Sequence, residues 1–246
     1  AFVTKYNSDG TLLWTKQLGT EGSDQAHGVS TDSNNNVYIT GSTNGDLAGS
    51  VGGSDAFVTK YDSTGAIKWT KQLGTGGTEK ALGVATDSNN NVYITGYTYG
   101  SLDGQTYGGA ADAFVTKYDS DGTKLWTKQL GGTTLTEQAL GVATDSNNNV
   151  YITGYTYGSL DGQTYGGAAD AFVTKYDSDG TKLWTKQLGT GGAEQATGVS
   201  TDPNNNVYIT GYTYGSLDGQ TYGGAADAFV TKYDSDGTKL WTKQLG

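Results

Sequence analysis

The chain has 246 residues, with 40 glycines, 18 tyrosines and no cysteine or methionine, and its 25 acids against 15 bases leave a formal charge of −10. Every base is a lysine, so the guanidinium fork that grips phosphate and guanine is missing; with the negative charge, this argues against nucleic acid and against an anionic membrane surface as partners. Without cysteine there is no disulfide framework, thiolate nucleophile or zinc–sulfur site, and no apolar run reaches the ~18 residues that a membrane-spanning helix needs.

The first element, "AFVTKY" from Ala1, returns at Ala56, Ala113, Ala171 and Ala228, at intervals of 55, 57, 58 and 57 residues. The chain therefore reads as one domain of repeat units 1–55, 56–112, 113–170 and 171–227, with a partial unit 228–246. Beginning at Ala1 inside a repeat, with no initiator Met or signal-like segment, the sequence reads as a processed product, a portion of something longer or an engineered chain. Tyr, Trp, Val and Ile recur at fixed spacing, which a disordered chain would lack.

Each unit carries four short strands. In the third these are Ala113–Tyr118, then Lys124–Leu130 after the turn "DSDGT", Ala139–Asp145 after a loop, and Val150–Thr156 after "SNNN". Asp-Gly and Asn-rich turns between β-branched and aromatic runs signal hairpins, because these residues tolerate positive φ. A 3.6-residue apolar period is absent throughout. Bulky groups point both ways: Val150 and Ile152 oppose Tyr151, and Phe114 and Tyr118 oppose Ala113 and Val115. A sheet with two apolar faces has to be stacked between neighbours. Stacked four-stranded antiparallel sheets are the blades of a β-propeller, so the expected class is all-β. A β-solenoid, the alternative, would take coils of about half this period and parallel pairing, which the tight turns forbid.

"DAFVTKYDSDGTKLWTKQLG" followed by "ALGVATDSNNNVYITGYT" resembles the SBBP repeat, a β-propeller repeat related to the quinoprotein (PQQ) type, and the likeness covers essentially the whole chain. The resemblance implies a propeller in a secreted or surface bacterial protein, with no defined reaction. By analogy with the quinoprotein blade, "GVATD" is innermost, then "VYITG", "AFVTKY" and "KLWTKQL". On that division the chain holds four full blades from about Asp24, plus an orphan outer hairpin, residues 1–18. Four and a half blades leave three expectations open: a four-bladed ring with a spare hairpin, a ring of about five positions with one half blade, or completion by another chain. The second is favoured, with pairing to another chain or to a second copy through hairpin 1–18 kept in view, since a bare strand edge invites pairing. Lack of oxidisable sulfur also suits an extracellular setting.

Four groups of residues carry candidate chemistry. "YDSDG" places paired carboxylates at Asp119 and Asp121, Asp177 and Asp179, and Asp234 and Asp236, in a pattern like part of a calcium loop. The pair is broken in the first two copies while the turn glycine is kept in all, so a structural turn is favoured over calcium and no cofactor is expected. The long connection "YTYGSLDGQTYGGAAD" exceeds what a hairpin needs. It carries Tyr97, Tyr99, Asp103 and Tyr107; Tyr155, Tyr157, Asp161 and Tyr165; and Tyr212, Tyr214, Asp218 and Tyr222. Aromatic faces beside acids and amides would suit a glycan platform, whereas packing between blades is the plainer reading. The first unit has "NGDLAGSVGGS" there, without tyrosine.

Asp24, Glu79, Glu137 and Glu194 precede the innermost strands and read as solvated loop acids, or else as a cation ring at the channel mouth. One Trp per outer strand, from Trp14 to Trp241, reads as packing. His27 is the only histidine, and no nucleophile or general-base constellation exists. The sequence therefore points to a non-enzymatic structural or interaction module, self-assembling through its repeated blades, with a multivalent glycan-binding propeller as the alternative.

Overall fold

The structure is a computed structural model that describes residues 1–132 and 135–246. Its strands fall into a two-stranded sheet followed by four four-stranded sheets, all antiparallel and all in chain order. The hairpin is β1 (Phe2–Tyr6) and β2 (Leu12–Gln17). Blade 1 is β3 (Asp24–Thr31), β4 (Val37–Thr43), β5 (Asp55–Tyr61) and β6 (Ile67–Leu73). Blade 2 is β7 (Glu79–Thr86), β8 (Val92–Thr98), β9 (Asp112–Tyr118) and β10 (Lys124–Leu130). Blade 3 is β11 (Glu137–Thr144), β12 (Val150–Thr156), β13 (Asp170–Tyr176) and β14 (Lys182–Leu188). Blade 4 is β15 (Glu194–Thr201), β16 (Val207–Thr213), β17 (Asp227–Tyr233) and β18 (Lys239–Leu245).

The turns form for local reasons. In blade 3 the Asp145 carboxylate accepts the N–H groups of Asn147 and Asn149 at 2.9 Å each. This Asx turn carries Asn148 into the left-handed region at φ 62°, where Asn pays little. The same Asp145 accepts the Tyr151 hydroxyl at 2.9 Å, locking the turn to the sheet. Opposite the register shift between Ala139 and Gly141, the partner residue is Gly154. This is a β-bulge repeated at the same place in every blade.

Alternation then builds the stack. Tyr38, Ala56, Val58 and Leu73 of blade 1 pack with Ala81, Val92, Ile94, Phe114 and Tyr118 of blade 2, and equivalent clusters join blades 2 to 3 and 3 to 4. The hairpin contributes Val3, Trp14 and Leu18 to the opposite face of blade 1, against Val37, Ile39, Phe57 and Tyr61. It thus occupies the outer half of a blade position. The innermost strands pack in the order β3, β7, β11, β15.

A polar clasp accompanies each apolar junction. The Trp69 indole N–H donates to the Ser120 carbonyl of the next blade at 3.1 Å, and Lys60 Nζ donates to the same oxygen at 2.8 Å. Trp126 and Lys117 repeat this on Ser178, Trp184 and Lys175 on Ser235. On the neighbouring turn, Ser88 donates N–H and Oγ–H to Asn148 Oδ1 of the following blade, as Ser33 does to Asn90 and Ser146 to Asn205.

Candidate functional site: a tyrosine rim

The long connections between the second and third strands of blades 2, 3 and 4 all start on one side of the stack, at the strand ends where the innermost strands also begin. Much of each connection is consumed by its own blade. Leu102, Leu160 and Leu217 are buried, and the Leu102 N–H donates to Gln129 Oε1. Asp103 sits at φ 49° and accepts Lys124 Nζ and the Thr127 hydroxyl, both at 2.5 Å. Asp161 and Asp218 repeat this with Lys182 and Thr185, and with Lys239 and Thr242. Burial opposes the charge on Asp103, but the bonds from Lys124 and Thr127 outweigh it and hold the carboxyl below its usual range. These three acids fasten the connection to the outermost strand at the surface. Tyr107, Tyr165 and Tyr222 are likewise tied down, each hydroxyl donating to the carbonyl three residues on, at Ala110, Ala168 and Ala225.

The other six tyrosines behave differently. Tyr97 and Tyr99 meet edge to face with ring centroids 5.7 Å apart, Tyr155 and Tyr157 at 5.6 Å, and Tyr212 and Tyr214 at 5.7 Å. Within each pair the first ring is half-buried at the end of the second strand. The second stands outside, with Tyr99, Tyr157 and Tyr214 46%, 42% and 49% exposed. Burial pushes the Tyr155 hydroxyl up to about 12, with Tyr157 and the neighbouring blades' Tyr97, Tyr99 and Tyr212 adding to the effect. The same edge-to-face pair thus recurs at the same strand end of three successive blades, and the three together are the tyrosine rim. A ring held edge to face by a neighbour is already ordered, so it offers contact area at low entropic cost.

The paired carboxylates of "YDSDG" are placed as turn residues. Asp119 Oδ1 accepts the N–H groups of Asp121 and Thr123 at 2.9 and 2.7 Å. Asp177 serves Asp179 and Thr181 in the same way, and Asp234 serves Asp236 and Thr238. In each pair the first carboxylate is spent within its own turn, and the second residue contributes its backbone N–H to it. Among the described residues no group of three or more His, Asp or Glu side chains is placed to hold a metal ion.

One expectation is overturned. The acids before the innermost strands are not solvated: Glu79, Glu137 and Glu194 are fully buried. Glu79 accepts the Thr75 N–H and the hydroxyls of Thr75 and Thr98, each at 2.7 Å, and Glu194 does the same with Thr190 and Thr213. Asp24, beside the hairpin, accepts from Thr20 and Thr43. A threonine four residues before Asp24, Glu79 and Glu194 was the available sign.

A second set of acids escaped the sequence reading altogether. Asp55, Asp112, Asp170 and Asp227 open the third strand of each blade and are buried. Each Oδ2 accepts a glutamine amide from the outermost strand, Gln129 donating to Asp112 at 2.8 Å, while each Oδ1 has no partner among the described residues. Burial pushes Glu137 and Asp170 up, with Asp112 adding to the first and Glu194 to the second.

Repeated four-stranded blades, joined face to face by the same clasp and edged by equivalent loops, define the class: a β-propeller repeat protein. The chain belongs to the SBBP family, a beta-propeller repeat, whose matches fall on residues 13–48, 68–103, 125–161 and 183–218. It is 28% identical over 98% of its length to the Uncharacterized WD repeat-containing protein L264 of Acanthamoeba polyphaga mimivirus, of which it covers 17%. It is 28% identical over 56% of its length to the Regulatory protein FlaEY of Caulobacter vibrioides, of which it covers 16%. The chain thus spans about a sixth of the length of these relatives. Among solved structures, a protein of unknown function from Bacteroides caccae superposes with a TM-score of 0.52 at 11% identity, covering 97% of this chain and 73% of that one. This likeness concerns the fold alone.

Proposed function

We infer that the chain is a non-enzymatic protein-interaction module of a secreted or cell-surface protein, and that its binding face is the tyrosine rim. The observation that carries this reading is the row of three edge-to-face tyrosine pairs with their outer rings in solvent. Tyrosine is enriched at protein interfaces because it brings a large apolar face and one polar tip. Relatives named as a WD repeat-containing protein and a regulatory protein point the same way. A glycan platform needs hydroxyl acceptors beside its aromatic rings. The acids expected to supply them, Asp103, Asp161 and Asp218, are engaged by lysine and threonine, which favours a protein partner.

The test is photo-crosslinking from a probe at position 157 in the native host's extracellular fraction, compared between the otherwise unaltered chain and a Tyr99→Ala, Tyr214→Ala variant. Crosslinked protein bands that fade in the variant are expected. A blank crosslink, together with binding on a glycan array that the same variant abolishes, would replace the protein partner with a sugar.

A further inference from the structure

The two ends of the stack carry opposite halves of the junction that is formed three times inside it. At the blade 4 end, the face equivalent to Tyr38, Ala56, Val58, Leu73 and Trp69 is uncovered. Leu245 is 71% and Trp241 38% exposed, where Leu73, Leu130 and Leu188 are 5–6% exposed. The indole of Trp241 donates to no acceptor among the described residues, whereas those of Trp14, Trp69, Trp126 and Trp184 each donate to a serine carbonyl of the next blade.

At the hairpin end, Phe2 is 69% and Tyr6 58% exposed, where the equivalent Phe114 and Tyr118 are 0% and 3%. Gly10 closes the β1–β2 turn at φ 77° with open space around it, while Gly65, Gly122, Gly180 and Gly237 each lie against the tryptophan of the preceding blade. Ser8, in the place of Ser63, Ser120, Ser178 and Ser235, has a carbonyl that receives no indole.

The ends also agree in what they lack. Ser33, Ser88 and Ser146 reach an asparagine on the inner turn of the next blade. The fourth copy has Pro203, which has no N–H and no hydroxyl. The hairpin is the outer half of a blade and has no inner turn to offer an asparagine. The serine–asparagine contact is thus absent from both ends, whereas the tryptophan and serine-carbonyl halves of the outer clasp are retained, one at each end.

We propose that the partner of these two ends is a second copy of this chain, docked head to tail, with hairpin β1–β2 of one copy seated on the outer face of blade 4 of the next. Phe2 and Tyr6 then cover Ala228, Val230 and Leu245, Trp241 rests on Gly10, and Trp241 Nε1 and Lys232 Nζ converge on the Ser8 carbonyl. The interface continues one already built within the chain, which fixes its register and its occupant. Being heterologous, it yields a ring of copies where the rotation closes and a filament where it does not. This deepens the reading of the chain as an interaction module and rests on it, adding a second surface away from the tyrosine rim.

The experiment is sedimentation velocity of the 246-residue chain across a range of concentrations, alone and with two variants, Phe2→Asp and Leu245→Asp. Both side chains stand in solvent in the single copy, so both variants fold, as circular dichroism verifies. The unaltered chain is expected to gain mass with concentration. Each variant is expected to need at least ~10-fold more protein to associate, the loss of one buried anchor. The decisive arm is their equimolar mixture, because Phe2→Asp keeps a sound blade 4 and Leu245→Asp a sound hairpin. The mixture is expected to form dimers and nothing larger. A chain that stays monomeric to ~100 μM, variants that associate like the parent, or a mixture that stays monomeric would each overturn the proposal. The tyrosine rim is untouched in both variants, so failure here leaves the crosslinking result standing, and the reverse.

Discussion

Gly154 has no freedom to become anything else. A Cβ built on it would lie 1.8 Å from the Gln138 carbonyl oxygen, across the bulge that begins at Ala139. Gly41, Gly96 and Gly211 stand under the same constraint. Both clashing groups belong to paired strands, so relief means moving backbone. Gly154→Ala is expected to cost about 3 kcal/mol or more, the upper range for overpacking, as measured by urea unfolding. A variant within 0.5 kcal/mol of the parent would show that the bulge is absent. At this scale the candidate site was only half legible in the sequence. Tyr97, Tyr99 and Tyr107 look alike as letters, but Tyr107 closes onto the Ala110 carbonyl three residues on, whereas Tyr97 and Tyr99 flank a strand end and meet edge to face. Asp103 read as an outward acid because its partners, Lys124 and Thr127, lie more than twenty residues away.

The strands and turns themselves were legible. Alternation over Val150–Thr156 and the Asn-rich turn before it assign β12 residue for residue, and the structure has the Asx turn that Asp145 and Asn148 demand. What the strands do to charged neighbours was not. Glu137 opens a strand and read as a solvated acid, and Asp170 gave no signal at all, yet the stacking of blades buries both. Their raised pKa values have a definite consequence for stability. The folded chain holds these two protons more tightly than the unfolded chain does, so their contribution is full below the ordinary values of 4.5 and 3.8 and is lost as pH rises through the raised ones. Asp32 and Asp103 act in the opposite sense. Burial opposes their charge, their hydrogen bonds outweigh it, and the stability they give above 3.8 is lost as pH falls. Melting temperature is therefore expected to rise as pH drops from 7 toward 4.5 and to fall again at lower pH. Asp170→Asn is expected to shrink the first rise, and an unchanged rise in that variant would count against the buried pair.

For the whole molecule, identical spelling of the blades and differences at the ends have separate physical sources. Interior blades meet copies of themselves, so one junction solution serves three times: Trp69 on Ser120, Trp126 on Ser178, Trp184 on Ser235. Pro203, Thr197 in place of Leu82 and Leu140, and the bare hairpin belong to ends that meet no further blade within the chain. Repeat proteins polish such ends when they are to stay wet. Here Pro203 and Thr197 alter only the inner half of blade 4, while Phe2, Val29, Trp241 and Leu245 remain apolar and exposed. The four and a half blades were countable from the recurrence of "AFVTKY"; the fit of one end to the other was not, because it depends on which face each residue presents. The most direct measurement is the exchange of the five tryptophan indole N–H protons with solvent, followed by nuclear magnetic resonance from dilute to concentrated protein, with Trp241 assigned by Trp241→Phe. Four protected indoles and a freely exchanging Trp241 at low concentration, with all five protected at high concentration, is the expected result. A Trp241 that is protected at limiting dilution, or that still exchanges freely when the protein is concentrated, would contradict it.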